Sequence, residues 1–328
     1  MPYPTTNRVK QNQNTMKNQV LLIALLLLSS LGWYSCQKED ENKPEIEKPV
    51  AEDGPWSAAN NSLFWRISGN GLEQPAHLFG TIHTIPEQDF SYQKGLDSLL
   101  NLSTSVMLEV NISDPAIIAA VQQRMVWPEG VNPDDMYTDE EVEILGALCR
   151  SLNTQWRAIK QLNPISLEAY LMGQIMTKEL GANEGYEGYL IKRSIETNTP
   201  LLGAESPEYV YSYFQEISND EVIERLINTA ELYLDDSELA LESFYELVHA
   251  YLQQDLAELH QLSFDSDEES NTYKLLVADR NKEWLQAIEN DLSGRLVAVG
   301  AGHLGGSKGL VQLLRDLGYE VNPIKVAR

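Results

Sequence analysis

The sequence predicts an α/β fold of the α+β kind, with helices around a mixed sheet and a large helical insert in the middle of the chain. Three observations favour this fold. Short apolar runs of strand length lie near the start and the end of the 328 residues, and the stretch between about residues 134 and 292 has mostly helical periodicity. Two of the apolar runs also end in the same Gly-x-x-His pattern, at residues 80–83 and 300–303.

The first elements are predicted to form a β-hairpin. Residues 63–67 and 76–79 are rich in apolar and aromatic residues, and the Ser-Gly-Asn-Gly run at residues 68–71 is a turn sequence. A helical pattern over residues 92–102 then leads into a further apolar strand at residues 105–110, which carries Glu109 near its end.

The middle of the chain is predicted to be helical. Thr138 and Ser218 each precede a glutamate by three residues and an apolar periodic stretch, which is the spacing of a capping box. Residues 200–205 interrupt the helices as a short strand that ends in Glu205. Residues 237–262 predict one long helix that carries His249 and His260 on one face. Because these rings would lie about 16 Å apart, we do not interpret them as a metal-binding pair.

The end of the chain returns to strands. Residues 295–299 predict a strand that leads into the second Gly-x-x-His unit, residues 308–317 predict a helix, and residues 319–321 predict a last strand. A glycine at a strand end lets the backbone turn sharply. A histidine after that turn projects at the carboxyl end of the strand, where open α/β sheets build their sites.

The N-terminal residues predict export. Residues 1–35 contain basic residues, no acidic residue and an apolar run at residues 20–28, which is typical of a signal peptide. Ser35-Cys36 resembles a bacterial lipobox, so we expect lipid on Cys36 and an acidic flexible linker at residues 36–58, before the folded domain at residues 59–328. The predicted location is the bacterial cell envelope, anchored by lipid to the outer membrane on its periplasmic or surface-exposed face. An uncleaved N-terminal anchor helix is the alternative.

Composition excludes some classes of partner. A net charge of −25 argues against nucleic acid and anionic lipid surfaces, so membrane contact is expected only through the N-terminal lipid. The chain has two cysteines. With Cys36 lipidated, Cys149 has no disulfide partner and is predicted to be a buried small hydrophobe.

Several segments together resemble the TraB/GumN/Tiki family. They are the two Gly-x-x-His units, Glu109 at the end of its strand, residues 203–205 (Gly-Ala-Glu), residues 280–281 (Arg-Asn) and the closing residues 309–321, and they span essentially residues 59–325 in order. The resemblance implies an α/β core and a divalent-metal peptidase, as in the Wnt-cleaving Tiki members. Two places differ from the usual pattern: Glu187 follows Gly185-Tyr186 where an Asp is common, and Ala204 precedes Glu205 where a Leu is usual.

The residues of the resemblance can be given chemical roles. His83 and His303 are the expected metal ligands, with manganese or cobalt as the leading divalent ion and zinc as another option. Glu109 is either the third ligand or the general base, and Glu205 takes the other role, because a charge at the end of an apolar strand is costly without a cation. The alternative for both glutamates is a carboxylate that caps the following helix.

Arg280 is assigned to the stabilisation of an oxyanion or to the orientation of a carboxylate. Its alternative is an ordinary salt bridge to Glu283. The predicted function is thus a lipid-anchored envelope metallohydrolase that acts on a peptide or protein. The alternative is a non-catalytic lipoprotein that sequesters a peptide, haem or a metal.

Overall fold

The computed structural model describes residues 61–183, 185–206, 218–264 and 273–326. The predicted signal peptide, the lipidation site Cys36, the linker and the first two residues of the predicted domain lie outside these ranges. None of the helices in the described ranges is both long enough and apolar enough to cross a membrane.

The centre of the fold is a six-stranded mixed sheet with the order β6-β4-β7-β2-β1-β8, accompanied by a small β3-β5 ladder. The strands are β1 (Phe64–Ser68), β2 (Ala76–Thr81), β3 (Ile85–Pro86), β4 (Ser105–Leu108), β5 (Ala182–Asn183), β6 (Leu201–Gly203), β7 (Arg295–Gly300) and β8 (Glu320–Pro323). Strands β6, β4, β7 and β2 run parallel to one another, whereas β1 is antiparallel to β2 and to β8.

Strands β2 and β7 pair in parallel at the centre of the sheet, although they lie near opposite ends of the chain. Every residue of both strands is buried, as expected for parallel strands that are covered on both faces. The two strands that end in Gly-x-x-His are therefore direct neighbours.

Helices cover the sheet and fill the middle of the chain. They are α1 (Gln93–Asn101), α2 (Pro115–Arg124), α3 (Asp139–Ser151), α4 (Trp156–Ile159), α5 (Pro164–Leu180), α6 (Gly185–Thr197), α7 (Asn219–Asp235), α8 (Ser237–Gln253), α9 (Leu256–Phe264), α10 (Asp279–Glu289) and α11 (Leu310–Asp316). Both predicted capping boxes are present, with Thr138 at the start of α3 and Ser218 at the start of α7. The predicted mixed α/β class is confirmed.

The prediction of one helix over residues 237–262 is wrong. Helix α8 ends at Gln253, and the next residue, Gln254, adopts a left-handed φ of 57°. The Oδ1 of Asp255 then accepts the N–H of Glu258 in the first turn of α9 at 3.1 Å. Asn61 fixes the break, since its Nδ2 donates to Asp255 Oδ1 at 2.9 Å and its Oδ1 accepts the N–H of Leu256 at 3.1 Å. Hydrogen bonds to a distant part of the chain thus override the helical periodicity.

Aromatic side chains pack around β2 and support the first Gly-x-x-His unit. The rings of Phe64 and Phe79 stack with centroids 4.5 Å apart, and Tyr186 meets Phe79 edge to face at 5.5 Å. The hydroxyl of the buried Tyr251 donates to the carbonyl of Gly80 at 2.8 Å. A hydrogen bond from the core therefore fixes the end of β2, directly before the turn that carries His83.

Candidate active site

Four neighbouring parallel strands end at one edge of the sheet, which we call the carboxyl edge. Glu109 directly follows β4, Glu205 lies two residues after β6, and His83 lies two residues after β2. His303 closes the 3₁₀ turn that follows β7. The carboxyl ends of parallel strands share one edge, so these four residues lie at the same edge of the sheet.

Arg280 lies between the two glutamates. Its Nη2 donates to Glu109 Oε2 at 2.6 Å and also to Glu205 Oε1, and its Nε donates to Glu205 Oε2 at 3.2 Å. Trp284, one turn further along α10, donates its Nε1–H to Glu205 Oε2 at 2.9 Å. The side chain of Arg280 is 4% exposed and that of Glu205 is 2% exposed, so this is a buried network of charges with hydrogen bonds to both carboxylates.

A π-helical turn, Lys274–Ala278, directly precedes α10. Turns of this kind are rare and occur often at functional sites. Arg280 donates its Nη1–H to the carbonyl of Leu276 within that turn at 3.3 Å. The irregular turn thus contributes an acceptor that fixes the buried guanidinium.

The surroundings decide the charge states of this network. Burial opposes ionisation of Glu109, but the charge of Arg280 and the N–H of Gly300, 2.8 Å from Glu109 Oε1, contribute to a pKa lowered to about 2. Burial raises the pKa of Glu205, against the opposing charge of Arg280. Burial would lower the pKa of Arg280, but the two carboxylates raise it above its ordinary value. At neutral pH Glu109 is therefore ionised and Arg280 is charged.

His303 is buried between α10 and the carboxyl edge. Its Nδ1 lies 2.8 Å from Asn281 Oδ1, its Nε2 lies 3.3 Å from Arg280 Nη1, and its ring packs against that of Trp284 with centroids 4.4 Å apart. Burial lowers the pKa of His303 to about 3, and the nearby positive charge of Arg280 acts in the same direction. The imidazole is therefore neutral at physiological pH.

His83 is held by α6. Its Nδ1 lies 2.8 Å from Glu187 Oε1, and the hydroxyl of Thr81 donates to the same carboxylate oxygen. Gly185 makes this approach feasible: it has a φ of +67°, and a Cβ at its position would lie 2.3 Å from the carbonyl oxygen of Ile82. Only a glycine lets α6 start this close to the backbone beside His83.

The side chains of the edge surround Gly300. A Cβ built on Gly300 would lie 3.2 Å from Glu109 Oε1, 3.6 Å from His303 Cδ2 and 3.9 Å from His83 Nε2. These three residues, predicted as metal ligands from the sequence, therefore border one small space that the missing side chain leaves open.

A divalent ion in this space needs ligand atoms at suitable distances from one point. His303 Nε2 and Glu109 Oε1 are 3.8 Å apart, which suits two ligands that each lie about 2 Å from one ion. In the described ranges, however, no three His, Cys, Asp or Glu side chains are already placed to hold a metal. The donor types fit a divalent ion, and His83 Nε2 would have to approach the other two donors.

The structure also corrects two alternatives. Glu109 does not cap the helix that follows it, because the Oδ1 of Asp114 accepts the N–H of Ala116 at 2.8 Å and caps α2. Arg280 forms its ion pairs with Glu109 and Glu205, which are distant in sequence. Within the described residues it forms no ion pair with Glu283.

Two residues of the site were given no role by the sequence. Asn281 entered only through the resemblance, and Glu187 only as a departure from a family pattern. The signal that could have identified Glu187 is the Gly185 two residues earlier, since a glycine at a helix start often marks a close backbone approach.

Comparisons with known proteins show which family the sequence matches. The sequence pattern of the TraB/PrgY/gumN family matches residues 63–323. The metalloprotease TIKI2 of Danio rerio is 26% identical over 122 residues, which are 35% of this chain and 22% of that protein. This chain thus aligns with about a fifth of that relative's length. No solved structure matches the chain at a significant level.

The family match begins before β1 and ends with the last residue of β8. It therefore includes each strand that brings a site residue to the carboxyl edge, and the chain belongs to the TraB/PrgY/gumN family.

Proposed function

We propose that this protein is a metal-dependent hydrolase that cleaves peptide bonds. The observation that carries the proposal is the convergence of His83, Glu109 and His303 around Gly300 at the carboxyl edge. Family membership and a distant relative named as a metalloprotease support the reaction class.

The charge balance at the edge favours a cation. Glu109 and Glu205 contribute two carboxylates, and one guanidinium, that of Arg280, lies between them. With both carboxylates ionised, the buried group has one excess negative charge, which is costly in a poorly solvated place. A divalent ion beside Glu109 would offset that charge.

In this proposal His83, His303 and Glu109 would hold the ion, which supplies Lewis-acid activation of a carbonyl or of water when bound. Glu109 takes the ligand role, because its Oε1 faces His303 Nε2 while its Oε2 is held by Arg280. Arg280 would donate to the oxygen that becomes negative during attack on the substrate carbonyl through the Nη1–H that now faces His303 Nε2, since its other four N–H groups are held by acceptors.

Glu205 acts in this proposal through Arg280. Both of its carboxylate oxygens accept hydrogen bonds from Arg280, and one also accepts from Trp284. A carboxylate held in this way keeps the guanidinium in a fixed orientation. Its contacts therefore fit the positioning of Arg280 better than the removal of a proton from water.

One observation favours the second candidate, a protein that binds without turnover. Arg280 Nη1 already lies 3.3 Å from His303 Nε2, so the ring nitrogen needed by a metal faces a donor. If that contact persists in solution, His303 Nε2 stays engaged with Arg280 and cannot complete a metal site, and the protein would bind its ligand without metal-dependent turnover.

Metal content separates these candidates. Elemental mass spectrometry should find about one manganese, cobalt or zinc ion per chain in the wild type and none in the His83→Ala/His303→Ala variant with the same circular dichroism. A His249→Ala/His260→Ala variant is the matched control and should keep its metal. Equal trace metal in all three proteins would refute the metal centre and favour the binding protein.

Peptide cleavage is a separate test. Peptide-library digests with added manganese or cobalt should yield products with the wild type and none with the Arg280→Lys variant. Stoichiometric metal without cleavage of any peptide would reject the peptidase and leave a metal-binding protein.

We also propose that the protein is held in the cell envelope by lipid on Cys36. The support is the sequence pattern at residues 1–36. Labelling of cells with a radioactive fatty acid should mark the wild type and not a Cys36→Ser variant. An unlabelled wild type would refute the anchor.

A further inference from the structure

The amide of Asn281 has a single orientation that satisfies its surroundings. Its Nδ2 lies 3.0 Å from the carbonyl oxygen of His303 and 2.8 Å from that of Lys308. Both amide hydrogens are therefore used by acceptors, and the other end of the amide, Oδ1, faces His303 Nδ1 at 2.8 Å. An amide oxygen only accepts hydrogen bonds, so the proton between the two groups belongs to His303 Nδ1.

The opposite side of the same ring leads to the same assignment. Arg280 Nη1 lies 3.3 Å from His303 Nε2. A guanidinium group has donors and no acceptor, so it can face only a nitrogen that carries a lone pair. Two independent neighbours thus assign His303 as the tautomer with hydrogen on Nδ1.

His83 is arranged in a similar way by a different residue. Glu187 Oε1 lies 2.8 Å from His83 Nδ1 and also accepts the hydroxyl of Thr81. Because Glu187 Oε1 accepts the Thr81 hydroxyl, it is an acceptor for His83 as well, and a proton lies on His83 Nδ1. His83 Nε2 is the atom that lies 3.9 Å from the position a Cβ of Gly300 would take, on the side of Glu109.

We infer that Glu187 and Asn281 are positioning residues that hold both imidazoles as the Nδ1–H tautomer, so that each Nε2 keeps its lone pair: that of His83 lies beside Gly300, and that of His303 lies near Glu109 Oε1 and now faces Arg280. The two residues come from different helices, α6 and α10, and use different chemistry. Outer hydrogen-bond partners of this kind set the tautomer and the ring orientation of metal-binding histidines. The consequence for metal affinity rests on the proposed function, whereas the tautomer assignment does not.

The tautomers can be measured directly. The full chain labelled with ¹⁵N only in histidine gives long-range ¹H–¹⁵N spectra that distinguish a protonated from an unprotonated ring nitrogen. At pH 7 without metal, His83 and His303 should both show a protonated Nδ1 and an unprotonated Nε2. Each is assigned by the loss of its signals in a single His→Ala variant. Protonation of Nε2 in either wild-type ring would overturn the inference for that ring.

Leucine variants test the cause. Glu187→Leu should shift the His83 signals toward a mixture of tautomers and leave those of His303 unchanged, and Asn281→Leu should do the reverse. Glu196→Leu on α6 and Asn290→Leu after α10 are the controls, because both side chains are exposed. A folded variant whose own histidine keeps the wild-type spectrum would refute the positioning role. If a leucine variant does not fold, the wild-type spectrum still decides the tautomers.

Cobalt binding then connects the inference to the proposed function. Titration with cobalt(II) should show affinity about 10–100-fold weaker in Glu187→Leu and Asn281→Leu than in the wild type and in the two controls. Equal cobalt affinity in all five proteins would overturn the predicted effect on binding. A wild type that binds no cobalt but shows both Nδ1–H tautomers would refute the metal centre and leave the tautomer assignment intact.

Discussion

Glu109 and Glu205 lie side by side at the carboxyl edge, joined by backbone as well as by side chain. The N–H of Glu205 donates to the carbonyl of Glu109 at 3.0 Å, which continues the parallel ladder of β4 and β6 beyond the last strand residues. Their carboxylates then share the guanidinium of Arg280. The sheet pairing thus places two like charges next to each other, and the positive charge of Arg280 offsets their repulsion.

Removal of this guanidinium should be costly. Arg280→Met leaves two buried carboxylates without their partner, so we expect the free energy of unfolding in urea to fall by about 3–5 kcal/mol at pH 7. Arg193→Met is the control, since the ion pairs of Arg193 with Asp97 and Glu196 are partly exposed and should matter by less than about 1 kcal/mol. Similar losses in both variants would contradict the buried network.

A single methyl group tests the space at Gly300. Gly300→Ala suits its φ of −49°, so we expect a loss of unfolding free energy below about 1 kcal/mol. Because the new Cβ would lie 3.2 Å from Glu109 Oε1, cobalt(II) affinity should fall at least about tenfold. Gly146→Ala, inside α3, should leave the cobalt affinity unchanged and raise the free energy of unfolding by about 0.5–1 kcal/mol, because alanine favours a helix interior. Unaltered cobalt affinity in Gly300→Ala would place the metal elsewhere.

Gly181, which caps the end of α5, and Gly185, which begins α6, form a matched pair of glycines. Gly185 and Gly181 both have positive φ, but a Cβ at Gly181 would contact nothing within 4 Å, whereas one at Gly185 would lie 2.3 Å from the carbonyl oxygen of Ile82. Gly181→Ala should lose about 1–2 kcal/mol of unfolding free energy from backbone strain alone. Gly185→Ala should lose at least about 2 kcal/mol more, because α6 must move away from His83. Equal losses would show that the close approach is unimportant.

His77 predicts a pH dependence that is separate from the site. It is 8% exposed on β2, and burial, with the charge of Arg66, lowers its pKa to about 4. The unfolded chain takes up this proton near pH 6.5 and the folded chain only near pH 4, so stability falls as the pH decreases through that window. From pH 7 to pH 5 the wild type should lose about 1–2 kcal/mol more than His77→Leu in urea unfolding. Parallel curves for the two proteins would disprove this, and the exposed His249→Leu should behave as the wild type.

The sequence predicted the local parts of the site better than their connections. Glycines and apolar runs place His83, His303, Glu109 and Glu205 at strand ends, because turn geometry and continuous apolar runs are local properties of the sequence. Which strands are neighbours depends on pairing between distant segments, and no local pattern encodes the order of β6, β4, β7 and β2. The partnership of Arg280 with two glutamates is a product of that order.

Two contacts of the candidate site depend on helices from separate parts of the chain. Glu187 reaches His83 only because α6 packs against the turn after β2, and Asn281 reaches His303 only because α10 packs against the turn after β7. Neither helix position follows from helical periodicity. Periodicity predicts which face of a helix is buried, but not which segment of the chain packs against that face. Gln254 is a similar case, since Asn61 decides where α8 stops.

The central pairing of β2 with β7 also determines when this site can exist. The two strands lie near the beginning and near the end of the described part of the chain. Contacts between segments so distant in sequence form slowly during folding. The candidate site therefore cannot assemble before β7 has been synthesised, and proteolytic removal of β7 would take the site apart. The order of the strands thus makes the candidate site depend on a complete sheet.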